Sequence, residues 1–109
     1  MATFDFQTLF DQLKKEVSNV VVTSVQQFKT EAEADAQNLL EYLKQNLQTW
    51  TVQLAAGELK KDDFEFLIMG QKELIQMNIL KQKGMALIDL DQLKIKLINQ
   101  IIKTALSVI

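Results

Sequence analysis

The chain has 109 residues, 48% hydrophobic and 24% charged, with a formal net charge of −2. That is enough for one domain, 1–109, with a buried core, and too apolar for a disordered chain. All twelve basic residues are Lys, and Arg, His, Cys and Pro are absent, which excludes disulfides, thiolate and imidazole chemistry, and bidentate phosphate clamps.

The first half carries an apolar stripe in steps of three, four and four: Phe6, Phe10, Val17, Val21, Val25, Phe28, Ala32, Ala36, Leu39, Leu43, Leu47, Trp50 and Leu54, with Lys14 filling one slot. An eleven-residue repeat is close to the pitch of a straight α-helix. No Gly or Pro interrupts residues 1–56. The expected element is one helix over about 5–55, a rod of about 50 residues and roughly 75 Å at 1.5 Å per residue. Two features argue for a break near residue 29. Val20, Val21, Val22 and Val25 are β-branched, and Thr30 to Glu33 fits a capping box. The stripe passes through this point in unchanged phase, so a continuous helix is the expectation. Leu39, Leu43, Leu47 and Trp50 are its packing face.

Gly57 suits the left-handed residue that ends a helix, and Asp62 or Asp63 the cap of the next. The second helix is expected over about 63–83. Its apolar residues, among them Phe64, Phe66, Leu67, Ile68, Leu74, Ile75, Met77 and Leu80, spread over roughly 220° of its circumference, beyond the stripe of a surface helix. Gly70 lies in that arc and is expected at a helix–helix contact. Gly84 repeats the stop signal, and Asp89 to Gln92 fits a cap, so a third helix is expected over about 90–107. Leu90, Leu93, Leu97, Ile101 and Ala105 form one seam on it, and Ile95, Ile98, Ile102 and Ile109 a second.

The predicted fold is all-α: a long helix with two shorter ones returning along it as an elongated helical hairpin or bundle. Such a hairpin leaves the second seams in water, and large exposed apolar patches are rare on soluble monomers. A homodimer with four-helix cross-sections would cover them, through Ile95, Ile98, Ile102, Ile109, Phe66 and Met77. The alternative is a compact protomer with the rod projecting as a coiled-coil arm.

No nucleophile, base and orienting group stand at a recognisable spacing, so no enzyme is expected, and no metal or cofactor. Glu31, Glu33 and Asp35 read as a solvated acidic face, because calcium wants six to eight oxygens, usually from a loop. Trp50 reads as core, and Lys14 as a side chain that snorkels out of the stripe. Scattered Lys and an acidic balance leave no nucleic-acid footprint. The longest uncharged run, Val17 to Phe28, is twelve residues, short of the about 20 that span a bilayer. No leader pattern begins the chain, and the expected location is cytoplasmic. The expected role is a structural or interaction protein whose partners are itself and an unidentified protein. The alternative is a peripheral lipid-binding protein, since eleven-residue amphipathic repeats also suit a membrane surface.

Overall fold

In the computed structural model, which describes residues 4–109, the chain forms five α-helices and one 3-10 turn, and no strand among the described residues. Met1 to Thr3, part of the terminus read as lacking a leader, lie outside the described residues.

Helix α1 spans Phe6–Ser24. Asp5 caps it, accepting from the Gln7 amide at 3.2 Å and from the Thr8 hydroxyl at 2.7 Å. The Thr8 hydroxyl, then the Gln7 amide, hold the Asp5 carboxyl below its usual pKa. After Ser24 the backbone turns extended at Val25, and Phe28 takes the left-handed conformation (φ 58°, ψ 39°). Helix α2 then runs Lys29–Ala55. The expected rod is therefore broken in two. The break falls just after the β-branched Val cluster, where helix propensity is lowest. The Thr30 box is not its cap: no side chain caps α2, and the Glu33 carboxylate instead accepts from the Ser18 hydroxyl. Folding the stripe on itself buries both halves in one chain, with Val17 and Val21 on α1 and Ala32, Ala36, Leu39, Leu43 and Leu47 on α2 all in the core.

Gly57 (φ 78°) ends α2 as expected, with the Glu58 amide donating back to the Gln53 carbonyl at 2.8 Å. The segment expected as one helix over 63–83 is three pieces: α3 (Lys61–Gly70), the 3-10 turn Lys72–Leu74, and α4 (Asn78–Gln82). At 100° per residue an unbroken helix would turn Met77 and Leu80 away from Phe64, Ile68 and Ile75. Ile75, which is extended, and Met77, which is non-helical (φ −106°, ψ 71°), reset the phase, and all five side chains are buried. Gly84 (φ 88°) closes α4 in the same way, through Met85 N–H to the Leu80 carbonyl at 3.2 Å. Helix α5 (Leu87–Val108) starts earlier than residue 90. Its cap position is Ala86, so the Asp89–Gln92 box is not used.

The elements pack as an up-and-down bundle. Helix α1 lies between α2 and α5, and the α3–α4 segment closes the ring between α2 and α5. The Gln37 amide reaches the Lys14 carbonyl at 3.4 Å, and Gln100 reaches Glu16 at 3.3 Å. With Ser18 against Glu33, these pairs run α1 antiparallel to α2. The bundle measures 47 × 22 × 19 Å.

One chain thus builds the four-helix cross-section for which the sequence suggested two. Ile98, Ile102 and Met77, expected at a subunit interface, are buried in the protomer's own core. The second seams are covered in part, at Ile98, Ile102 and Met77, because the broken rod supplies two layers instead of one. Gly70 is corrected as well. It is exposed at the end of α3, and a Cβ added there meets nothing within 4 Å.

Candidate functional site

The polar interior is organised around the broken third layer. The break frees backbone groups that a helix would have paired, and charged side chains from the flanking helices take them up. Asp35 of α2, 2% exposed, accepts from the amides of Ile79 at 3.3 Å and Leu80 at 2.8 Å. The Lys94 ammonium of α5 donates to the Ile75 carbonyl at 2.7 Å. Asn46 reaches Gln71 at 3.4 Å, and Lys72 pairs with Asp91 at 3.0 Å. These contacts hold the segment against both neighbours. Asp35 therefore does not belong to a solvated acidic face with Glu31 and Glu33. The other buried polar side chains are also satisfied, Thr51 by the Leu47 carbonyl at 2.6 Å and Thr104 by Gln100 at 3.0 Å. Among the described residues no buried side-chain polar atom lacks a partner, so none is left poised for a ligand.

Lys14, the charge in the stripe, stacks its ammonium 5.2 Å from the Phe10 ring centroid, and Lys44 approaches the same ring at 5.0 Å. Both residues are half-buried, and their ammonium groups lie within cation–π reach of a buried ring. Among the described residues no three acidic groups gather as a metal site.

Two surface features stand out among the described residues. The first is a cleft of about 390 Å³ at the end where the α1–α2 link meets the α4–α5 link, lined by Val25, Phe28, Met85, Leu93, Asp89 and Lys96 among others. Its charges are one carboxylate and one ammonium on α5, and its other polar side chains are neutral, among them Ser24, Gln27 and Gln92. The second is apolar. Leu87 and Ile88, in the first turn of α5, are 70% and 67% exposed, and Leu74 of the 3-10 turn is 59% exposed. The Lys72–Asp91 pair joins those two segments. Phe66, on the outer side of α3, is 77% exposed.

Of the residues expected at an interface, Phe66 and Ile109 are exposed and Ile95 is half-buried, while Met77, Ile98 and Ile102 are inside. Of those expected in helix packing, Leu39, Leu43 and Leu47 are buried, Trp50 is half-buried against the core, and Gly70 is outside. Leu87 and Ile88 were missed. The Asp89 cap pattern left them outside the helix expected over about 90–107, and only the earlier start of α5 displays them on its first turn.

Comparison of the chain with protein-family models, curated proteins and solved structures gives no match. No helix of the described residues is long and apolar enough to cross a membrane.

Proposed function

We propose that the protein is a non-enzymatic helical interaction module that binds a second copy of itself, and other protein chains, through apolar side chains displayed on the bundle surface. The observation that carries this reading is the exposure of Leu74, Leu87 and Ile88 beside a satisfied and filled interior. Burying such side chains is worth about 25 cal/mol per Å² of apolar surface removed from water, so a partner gains by covering them. The neighbouring Lys72–Asp91 pair supplies a polar rim. Homodimer formation belongs to this proposal, with Phe66, Ile95 and Ile109 as further candidate contacts.

The lipid reading is favoured by one specific observation. Lys81 and Lys83 are exposed just before Leu87 and Ile88, the pairing of cations with apolar side chains that anionic bilayers attract. The eleven-residue stripe does not contribute to it, because the fold spends that stripe inside the bundle.

Sedimentation equilibrium on the wild type and on Leu87→Glu/Ile88→Glu tests the proposal. Kept folded throughout, so that no helix can exchange between chains, the wild type should self-associate as concentration rises, and the double variant should stay monomeric with an unchanged melt, because both side chains already face water. A wild type and variant with identical association would contradict it. Co-flotation of the wild type, but not the variant, with anionic vesicles would transfer the surface to lipid.

A further inference from the structure

The α1–α2 link differs from the other reversals of this chain. The turns after α2 and α4 use glycines at φ 78° and 88°. The link, Val25-Gln26-Gln27-Phe28, has neither Gly nor Pro, and its left-handed residue is a phenylalanine at φ 58°. A Cβ in that region crowds the following carbonyl, so the conformation is strained. No side chain caps α2, the Thr30 box is unused, and Phe28 is 36% exposed.

The stripe tells the same story from the other side. Val17, Val21, Val25, Phe28, Ala32, Ala36 and Leu39 keep the phase of an unbroken helix. A straight helix through the link would return Phe28 to the apolar face between Val25 and Ala32. The antiparallel contacts are also symmetric about the link. Ser18 faces Glu33 and Lys14 faces Gln37, and the link lies midway in sequence between the members of each pair. Two straightened helices crossing antiparallel at their links would form both pairs twice, between chains instead of within one.

We propose that the link is a hinge and that α1 exchanges between two copies of this chain. In the exchanged form residues 6–55 are one continuous helix, and α1 occupies in the second copy the place it holds in its own. It meets that copy's α2 and α5 through the same contacts, including Glu16 with Gln100. The two forms bury the same core. They differ in the link, which is strained in the closed monomer and helical in the interlocked dimer, and strained short hinges favour such exchange. This goes beyond the surface reading and does not need the Leu87–Ile88 patch.

The chain has no Cys, so an introduced pair reports alone. Ser18→Cys/Gln37→Cys replaces two side chains that touch at 3.2 Å across α1 and α2. The protein is refolded from urea at micromolar to millimolar concentration, its monomer and dimer fractions are separated, and each is treated with a short bis-maleimide. The expected result is a dimer that grows with concentration and whose cross-link joins two chains, beside a monomer cross-linked within one. Phe28→Gly and Phe28→Ala both remove the ring but differ in their tolerance of positive φ and in helix propensity. The dimer association constant of the Gly variant should be lower than that of the Ala variant by about tenfold or more. Leu87→Glu/Ile88→Glu should leave the interlocked dimer intact, which separates this proposal from the surface reading. The exchange is overturned if no dimer forms after refolding at millimolar concentration, or if the dimer's cross-links stay within chains. It is equally overturned if dimerisation is lost in Leu87→Glu/Ile88→Glu while the Phe28 variants behave alike.

Discussion

Asp35 shows what one side chain contributes when it caps a neighbour. Its two carboxylate oxygens take the amides of Ile79 and Leu80, the donors left open where the third layer breaks. Asp35→Ala leaves the buried Leu80 amide and the half-buried Ile79 amide without an acceptor, and should destabilise the fold by about 1–3 kcal/mol in urea melts. Asp35→Asn keeps one acceptor oxygen and should lose less. A loss for Asp35→Ala no larger than that of a surface carboxylate would show that the cap is dispensable. This role was hidden in the sequence. Helical spacing sets which residues share a side of α2, and it grouped Asp35 with Glu31, four residues earlier. It carries no information about an acceptor needed by a backbone segment 44 residues further on. Leu39, Leu43 and Leu47 were legible because burial of an apolar stripe depends only on phase, which the fold preserves on both sides of the break.

Among the elements, the third layer differs most from its expectation. An apolar arc of roughly 220° correctly signals that a segment meets more than one neighbour. The chain meets that demand by interrupting the helix and turning Met77 and Leu80 inward, rather than by placing a uniform helix between two partners. Gly70 was expected to permit a close helix contact, since glycine in a helix otherwise costs stability. It closes α3 in open space instead. Gly70→Ala should therefore stabilise the protein by about 0.5–1 kcal/mol, mainly by reducing the freedom of the unfolded chain. A destabilising result would place an unseen contact at that surface. The Gly57 and Gly84 stops were readable because each turn requires a positive φ that glycine adopts freely. The α1–α2 reversal was not, because its residues lack that chemistry and its stripe argues for a straight helix.

At the scale of the whole molecule, an unbroken rod with two returning helices would leave apolar seams in water and would require a second subunit. The break at Val25 to Phe28 changes that count by giving one chain four layers, with Ile98 and Ile102 in the middle. The self-association proposed above would then depend on surface side chains or on exchange of α1, and neither is needed for the fold to close. The central claim is that a single chain closes its own bundle, and small-angle X-ray scattering in dilute solution tests it most directly. The mass should be that of one chain and the radius of gyration close to the 14.1 Å of its Cα atoms. A particle built on an intact helix of about 50 residues, roughly 75 Å long, would scatter with a radius of gyration of roughly 20 Å or more even at the lowest concentration, and that result would contradict the account.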